Sequence, residues 1–137
     1  TMKKCSICKN TYELSKFSIR NDKEHFDINH PSRYRSACMS CVSFKSKLKY
    51  YKISKETYLK LLKDCNNSCS ICGVPEEEAR LLNPRCKHLG LYIDHCHLTG
   101  KVRGFLCHNC NLIIGHAKDN IKILLKAVEY LDRDDIV

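Results

Sequence analysis

Apolar residues in this chain come in short bursts, and their spacing switches between the two-residue repeat of a strand and the 3.6-residue repeat of a helix. The clearest alternation runs from Leu91 to Asp94 and ends on the polar residues Asp94, His95 and His97. Thr99-Gly100-Lys101 then supplies a turn, and Val102 to Leu106 returns as a second strand. This predicts a hairpin, followed by a short helical segment that begins at Asn111. Upstream, Tyr58, Leu61, Leu62 and Cys65 fall at i, i+3, i+4 and i+7. A helix is therefore expected from an N-cap at Ser54 to about Asp64, packed under the hairpin and ended by Asn66-Asn67. Ile121, Leu124, Leu125, Val128 and Leu131 form the stripe of a last helix, with Asp119 as its N-cap candidate and Ile123, Ala127 and Tyr130 widening the face. That stripe is expected to pack on the domain, or on a second subunit in a homodimer. Val42 to Lys52 also has helical spacing, with Lys45, Lys47, Lys49 and Lys52 exposed among Phe44, Tyr50 and Tyr51. A short helix is expected at Glu76 to Leu82, with a break at Pro84.

Cysteine spacing changes this picture most. Eight of the eleven cysteines form CxxC pairs, at Cys5/Cys8, Cys38/Cys41, Cys69/Cys72 and Cys107/Cys110. The odd total argues against a secreted disulfide framework, as does the lack of an apolar stretch behind Lys3 and Lys4. Paired thiolates suit a tetrahedral zinc ion instead. Sequential pairing gives two four-cysteine structural zinc sites, Cys5, Cys8, Cys38, Cys41 and Cys69, Cys72, Cys107, Cys110. Cross-braced pairing is disfavoured by the long separation of Cys41 from Cys69. Cys65 reads as a small hydrophobe on a helix face. Cys86 lies in a loop, beside Arg85, Lys87 and His88, and Cys96 sits between two histidines.

A length of 137 residues fits one domain or one domain with a small appendage. The cysteine pairs divide it into an N-terminal zinc module with a basic helix, residues 1–52, and a second domain at 53–137. Aromatics make up 8% of the chain and Trp is absent, so metal cross-links are expected to support a small core. The formal charge of +9 stays positive even after eight thiolates bind two divalent ions, which favours a polyanionic partner. Lysines interleaved with tyrosines in 42–52 suit phosphate contacts. No apolar run approaches the ~18 residues of a membrane span. Free thiol chemistry points to a reducing, cytoplasmic compartment.

Asp94 and Asn111 are hard oxygen donors suited to Mg²⁺ or Mn²⁺, and His95 beside them is suited to general-base work. The run DHCHLTGKVRGFLCHNCN, continued by NLIIGHAKDN and LKAVEYLD and preceded by CSICG, resembles the HNH or ββα-metal nucleases, most closely the recombination endonuclease VII family. The resemblance covers roughly residues 65–132. It implies an α+β fold: a small zinc-stabilised ββα-metal core with flanking helices, here with an added N-terminal zinc module. It also implies Asp94 and Asn111 as ligands of a catalytic divalent ion, His95 as general base, and His97 as a contact to the phosphate or a support of the metal site. Cys69, Cys72, Cys107 and Cys110 take the family's structural zinc positions. Cys96 departs from the family, which often has a second Asp there.

The expected function is therefore metal-dependent DNA endonuclease, an HNH phosphodiesterase that leaves 5′-phosphate and 3′-hydroxyl ends. Lys101 and Arg103 would position neighbouring phosphates. The substrate is either branched DNA or, by analogy with compact dimeric restriction enzymes that carry a four-Cys module before an HNH core, a duplex site. The alternatives are a zinc-finger module that binds nucleic acid without cutting it and a zinc-stabilised protein-interaction domain.

Overall fold

The computed structural model describes residues 1–83 and 90–134, and the chain divides into two compact units, Thr1–Ser54 and Lys55–Val137. Cys86, its basic neighbours Arg85, Lys87 and His88, and the break expected at Pro84 lie outside the described residues. Among the described residues the elements are helices mixed with three antiparallel strand pairs, an α+β architecture.

In the first unit, β1 (Met2–Lys4) pairs with β2 (Thr11–Glu13), and β3 (Phe17–Ile19) pairs with β4 (Tyr34–Cys38). At three to five residues these strands are too short for a two-residue period to register, and so this region reads in sequence only as polar and turn-rich. Its core gathers Cys5, Phe17 and Cys38, with Tyr12, Tyr34 and Ala37 packed around them. The Arg33 guanidinium fastens the long β3–β4 connection by donating Nη1 to the carbonyls of Glu24 and Phe26, at 2.6 and 2.9 Å. Helix α1 (Met39–Tyr51) starts directly from β4 with Cys38 at its N-cap.

The second unit opens with α2 (Lys55–Asp64), immediately after Ser54. Its half-buried face is Tyr58, Leu61 and Leu62, with Cys65 just beyond the helix. Tyr58 meets the fully buried Phe105 edge-on, with ring centroids 5.2 Å apart, so α2 packs against the hairpin. Left-handed Asn66 and Asn67 end it. A single turn, α3 (Glu76–Ala79), runs into a 3₁₀ turn at Arg80–Leu82. The hairpin is β5 (Tyr92–His95) and β6 (Val102–Leu106), and α4 (His108–His116) follows and lies against both strands. Helix α4 begins at His108, with Cys107 Sγ accepting from the Cys110 amide, so Asn111 stands a turn inside it and does not open it.

Both units repeat one plan: a knuckle turn carrying a CxxC pair, a two-stranded hairpin, and a helix whose first turn carries the second pair. The knuckles share two backbone hydrogen bonds. Cys5 and Cys69 donate their amides to the carbonyls of Asn10 and Val74, and they accept from Lys9 and Gly73, which have φ of 64° and 75°. The β5–β6 turn has the same bonds, Cys96 to Lys101 and Gly100 to Cys96, with Gly100 at φ 71°. The left-handed position is why glycine is favoured there. Thr99 occupies the place of a second cysteine in that third knuckle.

The last helix, α5 (Ile121–Leu131), departs from expectation in two ways. Its N-cap is Asn120, whose side chain accepts from the amides of Lys122 and Ile123, and Asp119 is left out of the cap. Its apolar stripe is largely uncovered by the described part of the chain: Leu124 is half-buried, but Ile121, Leu125 and Val128 are 71, 58 and 62% exposed. The reason is architectural, because each small core is centred on cysteines and a two-stranded hairpin and offers no broad sheet face for a helix to cover. None of the described helices is long and apolar enough to cross a membrane.

Candidate active site and metal centres

The Sγ atoms of Cys5, Cys8, Cys38 and Cys41 lie within 4.8 Å of one another, and so do those of Cys69, Cys72, Cys107 and Cys110. Four sulfurs around one ion at a Zn–S distance of about 2.3 Å need similar spacings, so both clusters suit a closed tetrahedral zinc. Their protonation chemistry agrees. Burial works against the Cys5 thiolate, but amide donors from Cys38, Cys8 and Ile7 outweigh it and lower the thiol to about 6. Cys69 is likewise lowered to about 6 against burial, by the amides of Cys107, Cys72 and Ile71. Cys41 is pushed up to about 12 by Cys38, with burial, Cys8 and Cys5 adding to it, and Cys110 rises through burial and its three partner sulfurs. Four thiolates repel one another at this range, so each cluster calls for a cation.

The catalytic candidates assemble on the hairpin. Asp94, near the end of β5, is buried, whereas His95 is half-buried and His97 is exposed. The rings of His95 and His97 are 4.9 Å apart. The β5–β6 register runs Ile93 to Phe105, Asp94 to Gly104, and then His95 to Val102, so Arg103 is the extra residue of a bulge. Bulges re-aim side chains. Arg103 turns onto Asp94, donating Nε to Oδ2 at 2.7 Å and Nη2 to Oδ1 at 2.9 Å. The same Nη2 donates to Asp119 Oδ1 at 3.2 Å, and His97 Nδ1 lies 3.2 Å from Asp119 Oδ2. Asp94 and then Asp119 hold the guanidinium in its charged form. His97 and then Arg103 hold the Asp119 carboxyl below the usual carboxylate range.

Asp119 was not legible as a site residue. A D-N pair before a helix offers two cap candidates, and only the backbone shows that Asn120 takes the cap while Lys118 and Asp119 both adopt positive φ, 52° and 53°. A cavity of about 540 Å³ opens beside the network, lined by Cys96, His97, Leu98, Arg103, Gly115, Lys118 and Asp119. The Cys96 thiol is lowered by the Thr99 hydroxyl and then by the amides of Thr99 and Leu98, which marks it as part of the turn that carries His97. Asn111 is half-buried on α4, and Lys101 is exposed after the turn. On α1, Lys45 and Lys49 are exposed one turn apart, with the C-cap Lys52 exposed beyond them. Lys47 is half-buried and, at 100° per residue, points to the other side, so the four lysines do not share one face. Cys65 donates Sγ to the Leu62 carbonyl at 3.3 Å, as befits a packing residue.

The donor chemistry around Asp94 fits a hard divalent cation. Each carboxylate oxygen keeps a lone pair beyond the one that Arg103 occupies, and Asn111, whose side chain offers a neutral carbonyl, stands on the helix packed against β5.

Comparison with known proteins finds relatives among phage proteins and one solved nuclease. The "Gene 59 protein" of Mycobacterium phage D29 is 35% identical over 103 residues, 74% of this chain and 57% of that protein. Its counterpart in Mycobacterium phage L5 is 34% identical over 104 residues, with the same two coverages. The chain thus spans a little over half the length of these relatives. The solved β-β-α-Me type II restriction endonuclease Hpy99I aligns over 95% of this chain and 64% of that one at 25% identity, with a TM-score of 0.36, too low to carry an inference about architecture. The family model described as Recombination endonuclease VII matches residues 44–133, which spans the hairpin, α4 and the second cysteine cluster. The chain belongs to the recombination endonuclease VII family.

Proposed function

We propose that this protein is a metal-dependent DNA endonuclease that hydrolyses phosphodiester bonds and leaves 5′-phosphate and 3′-hydroxyl ends. The observation that carries the reading is the family match across 44–133, within which one hairpin carries Asp94, His95 and His97 and packs on α4, the helix that bears Asn111. In this reading Asp94 and Asn111 hold a Mg²⁺ or Mn²⁺ ion, which when bound offers Lewis-acid stabilisation of charge on the phosphate oxygens. His95 takes the proton from the attacking water, in line with the departing 3′ oxygen. His97 orients the phosphate, and Lys101 contacts the neighbouring one. Zinc in both four-cysteine clusters is structural, since four thiolates leave no open position.

Asp94 next to His95 favours cutting over the binding-only alternatives, because the Arg103 pair accounts for the buried carboxylate but a module that merely holds DNA has no use for a general base beside it. Incubating the chain with supercoiled plasmid and a synthetic four-way junction, with Mg²⁺, with Mn²⁺ or with EDTA, tests the reading and separates a branched from a duplex substrate. Ends that ligate without phosphatase or kinase treatment are expected. Intact DNA at all protein concentrations in Mg²⁺ and Mn²⁺ would overturn it.

A further inference from the structure

We propose that Asp119 is a positioning residue that ties together the two arms of the candidate active site, fixing His97 through Nδ1 and Arg103 through Nη2. The inference rests on the endonuclease reading above. Three independent observations point to it.

The carboxylate is not used by the helix it precedes, because Asn120 caps α5. The backbone delivers it at a cost: Lys118 and Asp119 are consecutive left-handed residues that close the end of α4, their amides donating to Gly115 and Ile114 at 3.0 Å. Non-glycine residues adopt that conformation reluctantly. Finally, the two oxygens divide their work. Oδ2 meets His97 Nδ1 at 3.2 Å and Oδ1 accepts from Arg103 at 3.2 Å, with the side chain three-quarters buried in the wall of the cavity.

The chemistry follows from what each partner can do. A neutral imidazole donates from one nitrogen and accepts at the other, and a carboxylate only accepts, so Asp119 selects the His97 tautomer with its proton on Nδ1 and leaves Nε2 as the acceptor. That ring is the neighbour of His95, at 4.9 Å. On the other arm, the guanidinium shared between Asp94 and Asp119 is pinned at two ends. Asp119 therefore orients the histidine side and the carboxylate side of the site at once, without touching substrate.

The test uses the full zinc-loaded chain labelled with ¹⁵N at histidine. Long-range ¹H–¹⁵N spectra under alkaline conditions report which ring nitrogen carries the proton, and the His97 signals are those lost in His97→Gln. Wild type is expected to hold the proton on Nδ1, and Asp119→Ala to move it toward Nε2. Single-turnover cleavage should fall about 10- to 100-fold in Asp119→Ala, the range seen when groups that orient site histidines are removed. Asp119→Asn, which keeps one accepting oxygen, should lie between the two. A wild-type His97 protonated on Nε2 overturns the proposal. So does a tautomer that is the same in wild type and Asp119→Ala, or an unchanged rate in a variant whose tautomer has moved. The wild-type spectrum needs neither a variant nor cleavage. A chain that cuts no DNA therefore fails the endonuclease reading alone, while the tautomer still decides the role of Asp119.

Discussion

Arg103 grips Asp94 because it is the bulged residue of β6, passed over when the register moves from Asp94 opposite Gly104 to His95 opposite Val102. In a regular ladder Arg103 would point to the opposite face from Gly104 and so away from Asp94. The bulge therefore converts a strand residue into the partner of a buried carboxylate.

Removing that partner should be costly. Asp94 is buried, but the Arg103 side chain is 38% exposed, so Arg103→Met should destabilise the second unit by about 1–2 kcal/mol, between the values for surface and buried pairs. Arg103→Lys should recover only part, since an ammonium cannot make the two-pronged contact. Denaturant melts with zinc bound check this. Adding Asp94→Asn to Arg103→Met should cost less than the sum of the single changes, and strict additivity would contradict a direct pair.

The metal content should be two zinc ions per chain, one in each unit. Cys5→Ser should lose one ion and the fold of the first unit while the second keeps its own. Cys107→Ser should do the reverse, because ion binding contributes on the order of 10 kcal/mol to the folding of small zinc domains. Elemental analysis with unit-specific amide spectra reads both. Loss of both ions from either variant would contradict the division into two self-contained clusters.

The geometry of α1 sharpens the expectation for DNA contacts. Lys45, Lys49 and Lys52 are exposed along one side, and Lys47 is not. If that side meets phosphates, changing the three to Gln should make the slope of log K against log salt shallower by about 0.9 per contact, and Lys47→Gln alone should leave it unchanged. The site of cutting should not move, because phosphate contacts position the duplex without reading bases. Binding in a His95→Ala background from about 50 to 200 mM salt is the measurement, and equal effects of Lys47 and Lys49 would remove α1 from the interface.

What the sequence made legible is what depends on neighbours in the chain. The hairpin at 92–106, the helix after Ser54 and the α5 stripe all follow from local periodicity, and the cysteine clusters follow from CxxC spacing. The bulge at Arg103 did not, since a register shift leaves the alternation of a five-residue strand almost unchanged. Asp119 was hidden for a related reason: Asp and Asn are both good caps, and the choice between them is made by the left-handed end of α4. The exposure of α5 was equally out of reach, because a stripe shows that a face is apolar and says nothing of what covers it.

Whether His95 is the base of a metal-dependent DNA endonuclease is read from single-turnover cleavage by wild type and His95→Ala. Both proteins should carry two zinc ions and bind DNA alike, and both should be assayed at saturating protein with Mg²⁺ or Mn²⁺. The variant should cut at least ~10²-fold more slowly, the lower end of what general-base catalysis contributes, with both proteins silent in EDTA at concentrations that leave the zinc in place. A well-folded His95→Ala protein that cuts at the wild-type rate would contradict that role.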